Sequence, residues 1–337
     1  MRFKRIYLVS IILLVVTGIV LLENKERLLI HFVQQQAVPY ALKNLNADDI
    51  AVACVITGGF DLFIQNLATD TKAAHQLAAL FGFLTGNCIE FKAMEEELRS
   101  LRALHNKNVI EAQDARIKQK KFLSQAARRQ LSGFNKLASA FNQDPGSGCP
   151  TFKTRQDAFY WLIGLVSGLQ AVMNDLASEG NAKVPLDIAL KVGRGASCLD
   201  NEQWWGLPTA IQAAIWVSFP GTKPAGSNPL QILNQAMQTG LQQGMRISQV
   251  LAARIYIGLG NIEAVKSIIR RHKKERAQVP AILEYHFLDE VASRQLHDIS
   301  DHLWTEAIGM RTPLGGLGEF WDDPGKSIET INIEDIL

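Results

Sequence analysis

Several signals are missing from this 337-residue chain, and each absence closes off a class of function. Charge of one sign is missing: Lys and Arg number 35 against 33 Asp and Glu, so no global field draws the chain to nucleic acid. A C-x-x-C pair is missing, which excludes zinc ribbons and thioredoxin chemistry. Alternating apolar and polar runs joined by hairpin turns are scarce, which argues against a sheet. No Ser-His-Asp arrangement, pair of catalytic carboxylates or cofactor fingerprint stands out, so neither an enzyme nor a bound cofactor is expected. "PGKS" at Pro324–Ser327 lacks the glycine a phosphate loop needs five residues before Gly325, where Phe320 stands. In "HDISDH" a single helix supplies His297, Asp301 and His302, while zinc needs three or four convergent ligands; a polar helix face, and no metal, is expected.

What is present is apolar and helical in period. A hydrophobic fraction of 47% against 20% charged residues describes a chain that buries a real core, not a disordered one. Arg2, Lys4 and Arg5 precede an uncharged run from Ile6 to Leu22, about as short as a spanning helix can be. No A-x-A site and no lipobox cysteine follows it. The run reads as an uncleaved anchor with its basic end in the cytoplasm and the bulk of the chain outside; a cleaved signal peptide is the competing reading. Lys25 and Arg27 weaken the charge asymmetry. Residues 1–30 are thus a tip and transmembrane anchor, 38–310 an all-helical domain, and 311–337 an irregular acidic tail.

An exported chain with four cysteines invites disulfides. Cys54 and Cys88 fall on two consecutive antiparallel helices, and Cys149 and Cys198 each stand at a loop edge. The expected pairs are Cys54–Cys88 and Cys149–Cys198; four buried free thiols is the alternative.

Helix starts are expected at Asp48-Asp49, at Thr69 or Asp70, after Asn106–Asn108, and at Thr154 or Asp157. Pro145–Gly148, Pro185, Gly193–Ala196, Pro208 and the loop Pro220–Pro229 separate further elements. Later helices run from about Leu230 to Gln243, Ile247 to Leu259, Ile262 to Glu275 and Ala281 to Met310. "FYWLIGLVSGLQAV" (Phe159–Val172) has one strongly polar side chain, Gln170. It is too short to span a bilayer, so it reads as a central helix covered on all sides, with Gly164 and Gly168 letting a neighbour approach. Tyr160, Trp161, Trp204 and Trp205 pack the core or, alternatively, line a cavity with Lys191 or Arg194 at its mouth to meet a carboxylate. The basic run "RRHKKER" (Arg270–Arg276) suits a helix C-terminus, with docking to an anionic lipid or partner as the other reading.

"LAARIYIGLGNIEAVKSIIRRH" places Tyr256 late in one helix, Gly260-Asn261 in the turn and Ala264 early in the next, as a tetratricopeptide (TPR) hairpin does, though the 34-residue period does not recur. The fold expected is therefore all-α, an irregular TPR-like array of helical hairpins, α-solenoid-like, behind one N-terminal anchor. Asp157–Trp161, "IALKVGRGASCLD" and "WWGLPTAIQAAIWVSFPG", in that order and before the hairpin, resemble the T-component (TatT) family of TRAP transporters. The resemblance covers roughly residues 45–280 and rests on element order and scattered residues. It departs from the family in lacking a lipobox, and the "RTPLGGLGEFWDDP" tail has no counterpart. The resemblance implies a periplasm-facing helical protein of the bacterial inner membrane. Such a protein associates with the periplasmic solute-binding protein of a TRAP transporter, forms homo-oligomers, and uses a cavity to help deliver carboxylate or hydrophobic ligands. The other reading is a TPR-like assembly or scaffold factor for a different envelope complex.

Overall fold

The computed structural model describes residues 25–65, 71–219 and 221–325. The expected anchor Ile6–Leu22 and the end of the acidic tail lie outside the described residues. Among the described residues there is no strand, and the chain is all-helical.

Residues 25–44 are helical throughout, with a π turn at Val33–Ala37 before helix α1 (Val38–Asn44). Pro39 lacks an N–H, and its ring crowds the carbonyl one turn back; a wider turn just before it relieves that crowding. Then follow α2 (Ile50–Gln65), α3 (Lys72–His105), α4 (Val109–Phe141), α5 (Arg155–Ala177), α6 (Asp187–Ala196), α7 (Leu207–Ser218), α8 (Pro229–Gln242), α9 (Ile247–Gly258), α10 (Ile262–Gln278) and α11 (His286–Ile308). Short polar side chains set the starts. Thr71, Asn108, Thr154, Asn228 and Asn261 each accept the backbone N–H three residues on. The start expected at Asp48-Asp49 is fixed by Asn46, whose backbone N–H donates to Asp49 at 2.8 Å in a capping box. Thr71 takes the role expected of Thr69 or Asp70.

The three-residue turn Asn106–Asn108 folds α3 and α4 into an antiparallel hairpin about 50 Å long. Helix α5 packs into it. A Cβ on Gly164 would lie 2.6 Å from Leu137 Cδ2, and one on Gly82 2.9 Å from Gly133 Cα. Only glycines let three helices meet this closely, and Ser167 Oγ donates across the contact to the Gln130 carbonyl at 2.9 Å. The stretch Phe159–Val172 is buried along nearly its whole length, as its composition requires. Helix α3 is long and apolar enough to cross a membrane, yet 61% of its most apolar window is buried inside the protein, as a core helix demands.

Both disulfides form. Cys54–Cys88 ties α2 to α3 (Cα–Cα 5.5 Å), and Cys149–Cys198 ties the loop after α4 to the end of α6 (5.3 Å). Helices α6–α11 complete one continuous core reaching from Ile30 to Phe320. The basic run on α10 meets the chain's own acidic segment: Lys266 pairs with Asp322 (2.5 Å), Arg270 with Asp323 (2.5 Å) and Lys273 with Glu319 (3.3 Å). Phe320 is fully buried between them, so residues 311–325, though irregular, form a strap and not a loose tail.

Candidate functional site

The six residues singled out as cavity candidates do not converge on one cavity. Tyr160, Trp161, Trp204 and Trp205 are all buried in the core. Trp161 packs edge-on against Phe141 at 5.3 Å, and its indole N–H donates to the Gly195 carbonyl at 3.0 Å. Trp204 and Trp205 form a different cluster with Phe159 and Tyr285, and the Arg155 guanidinium lies 5.6 Å from the Trp204 ring. Tyr160 joins that cluster through Phe159; burial pushes its phenol above the ordinary range, against the side chains of Gln34 and Gln156. Lys191 is held between Asp144 (3.3 Å) and Asp187 (3.5 Å), and Arg194 Nε donates to the Gly146 carbonyl at 3.0 Å. Both pin the 144–148 loop. Residue type marked these side chains, but only packing decides which side of a helix faces a core and which a cleft.

Arg194 borders a cleft of about 390 Å³ with Gln212 and Trp216, which none of the other five lines, and three further clefts share walls with one another. The first is an apolar groove of about 280 Å³ between the 25–44 helix, α2, α3 and α11. Val38, Leu42, Ile56, Phe60, Phe83 and Val291 wall it, and Asn87 and Thr57 are among its few polar groups. It shares Phe83, Asn87, Leu288 and Val291 with a constriction of about 60 Å³ between α3, α5, α9 and α11. The constriction in turn shares Met173, Arg254 and Gln295 with a polar cleft of about 390 Å³, where Glu90, Arg116, Asn174, Asp298 and His302 stand.

A hydrogen-bonded network of buried and half-buried side chains runs along the floor. Gln295 Nε2 and Gln170 Nε2 both donate to Asn87 Oδ1, at 3.0 and 3.1 Å. Glu90 Oε1 accepts from Gln130 Nε2 and Asn174 Nδ2, each at 2.6 Å, and Asn174 also donates to Gln130 Oε1 at 2.7 Å. A buried carboxylate is tolerable only when its lone pairs are met in this way. Arg254 reaches Glu90 Oε2 at a longer 3.3 Å and remains partly exposed where the constriction opens into the polar cleft. Its guanidinium is therefore loosely engaged and faces the space. Deeper on α11, burial raises the Asp298 carboxyl above its usual range, with Arg294 Nε at 2.8 Å opposing the shift.

Sequence reading missed this site: Gln170 stood out only as a polar side chain in an apolar helix and His302 only as part of a polar helix face. The available signal was amides and an acid in otherwise apolar helices: Asn87 and Glu90 in "LTGNCIEF", Gln170 and Asn174 in α5. Among the described residues no group of three or more His, Cys, Asp or Glu side chains is placed to hold a metal. His297 stands 3.6 Å from Asp301, while His302 turns to Glu97 (3.6 Å) and Glu306 (3.7 Å). Comparison with protein-family models, with curated proteins and with solved structures finds no match to this chain.

Proposed function

We propose that this chain is an envelope-anchored binding protein, not an enzyme, that holds an elongated amphiphilic carboxylate with its apolar part in the groove and its acid group at Arg254. The observation that carries this reading is the shared walls: an apolar groove continues past Asn87 to a cationic side chain that has no tight partner. Arg116 on the polar cleft adds a second positive charge. Two disulfides are consistent with an oxidising compartment such as the periplasm. The fold is read as an irregular TPR-like array, supported by the α9–α10 hairpin, where Gly260 takes φ +69° and Asn261 caps α10. Together with the resemblance to the T-component family, these features make the solute-binding protein of a TRAP transporter the partner to seek. It would hand over or receive the same ligand.

The test is titration of the full chain with the fluorescent fatty acid cis-parinaric acid. Saturable binding is expected. Arg254→Gln should weaken it about tenfold or more, the scale of a hydrogen bond to a charged group. Ala41→Trp, which fills the groove, should also weaken it. Saturable binding that neither substitution changes would remove the site, and absence of binding would remove the ligand class. A pull-down from solubilised membranes, read by mass spectrometry, checks the partner.

A further inference from the structure

One face of α2 is unlike that of a helix meant for water. Its exposed residues from Ala51 to Phe60 are Ala51, Val52, Val55, Ile56, Gly59 and Phe60, with no charged or hydrogen-bonding side chain among them. From Val52 onward their spacing is three, one, three and one, a single stripe along the helix. Val55 is 78% exposed and Val52 58%, whereas a surface helix ordinarily turns polar residues outward. The 25–44 helix adds exposed Leu28, Phe32 and Tyr40. Tyr40, Ile56 and Phe60 border the same apolar groove, so the two faces meet at its mouth.

The neighbouring sequence indicates what covers this face. Two residues, Glu23 and Asn24, separate the uncharged run Ile6–Leu22 from Lys25, where the described part of the helix starts. Lys25, Arg27 and Lys43 are exposed along that helix, against a single acid, Glu26. Basic residues beside an exposed apolar face are the composition of a helix lying in a bilayer interface. Geometry adds a constraint. A helix of this length is about 30 Å long, so standing upright it would lift α2 clear of the lipid. Exposed Leu28 and Phe32, one turn apart, suit a helix that lies flat.

We infer that the exposed faces of α2 and of the 25–44 helix lie in the interfacial layer of an anionic bilayer, so that the mouth of the apolar groove opens onto lipid. This rests on reading Ile6–Leu22 as a membrane anchor. An amphiphile would then pass between membrane and groove without crossing water.

The test uses the full chain in nanodiscs of phosphatidylethanolamine and phosphatidylglycerol, with a phospholipid carrying a diazirine on its acyl chain. After photolysis, labelled peptides are mapped by mass spectrometry. Label within residues 6–22 reports the anchor. The inference expects label within 28–60 several-fold above that at Val109 and Ile110, which are equally exposed apolar residues at the far hairpin turn. Val55→Asp with Ile56→Asp should lower the 50–60 label several-fold at unchanged far-UV circular dichroism. Label at 6–22 with residues 28–60 no higher than 109–110 would overturn the inference and leave the anchor standing. Failure of the chain to enter discs would overturn both. Crosslinks between copies through α2, with mass rising on concentration and no lipid label there, would assign the face to a second copy and overturn the inference.

Discussion

At the scale of single residues, the glycines of α5 and one buried histidine carry the sharpest consequences. A methyl on Gly164 would press on Leu137, and one on Gly168 on the Phe134 ring. Gly164→Ala and Gly168→Ala should each cost about 1–3 kcal/mol by overpacking, measured by urea unfolding. The helix-propensity gain of Ala over Gly, about 1 kcal/mol, works against this, so a stabilised variant would show that α5 can move away. His272 is fully buried on α10 with Nδ1 2.8 Å from Gln249 Oε1, and its Nε2 meets no hydrogen-bond partner among the described residues. Burial, then Arg246 and Arg276, lower its pKa from 6.5 to about 3. A lowered folded-state pKa means that acid protonates the unfolded chain first. This residue therefore leaves stability unchanged above its ordinary pKa and subtracts from it as pH falls from 6.5 towards about 3, by about 1.4 kcal/mol per pH unit. Between about pH 7.5 and pH 4.5, His272→Gln should lose about 3 kcal/mol less stability than the parent chain, read from urea midpoints at both values.

At the scale of elements, α2 is thinly packed against the rest of the protein. Its buried side chains among the described residues are few, Ile50, Thr57, Asp61 and Ile64, and its ties to the α3–α4 hairpin include the Cys54–Cys88 bond, the Phe60–Phe81 ring contact and the Asp61–Arg129 pair at 3.0 Å. Replacing both cysteines by serine should cost about 2–4 kcal/mol in total. Hydrogen exchange should show the loss first: protection falls across residues 50–65 while α3, α4 and α5 keep theirs. The opposite arrangement holds at the strap. There Lys266 sits 4.9 Å from the Trp321 ring and pairs with Asp322, while the Trp304 indole N–H donates to the Glu319 carbonyl at 3.0 Å. Rings and charges together fix a segment that has no helix of its own.

At the scale of the whole molecule, one core runs from Ile30 to Phe320, so the irregular strap belongs to the same unit as the central helices. Phe320→Ala should lower stability by about 3–5 kcal/mol. Thermal unfolding should show the main transition itself shifting down, not a small early phase from a released tail. How much of this was legible beforehand varies with the physics involved. Most helix starts were, because caps such as Asn108, Thr154 and Asn261 act on their own first turn; the break expected at Gly193–Ala196 is instead the last turn of α6. The cysteine pairs were: Cys54 and Cys88 stand on consecutive helices, which leaves Cys149 and Cys198, each at a loop edge, for one another. The strap's irregular, acidic character was legible, but its docking was not, because its partners on α10 lie some fifty residues away in the chain. Of the two readings open for Tyr160, Trp161, Trp204 and Trp205, core packing holds and the cavity wall does not, and the choice was illegible for a related reason. Large rings fill cores and line clefts equally well, and nothing local separates the two outcomes.

The sequence by itself therefore determined the all-helical class, the hairpin of α3 and α4, the buried central position of α5 and the two disulfides. The class, the hairpin and the central helix follow from local periodicity, capping chemistry or a helix too apolar to face water; the disulfides follow from the placing of four cysteines on neighbouring helices and loop edges. Only the tertiary structure decided where space remains. The clefts that join Phe60 to Asn87 and Asn87 to Arg254 are bounded by α2, α3, α5, α9 and α11, elements spread over more than two hundred residues. A cleft is the volume that packing leaves unfilled. It is set by the crossing of whole helices and not by any one stretch of chain.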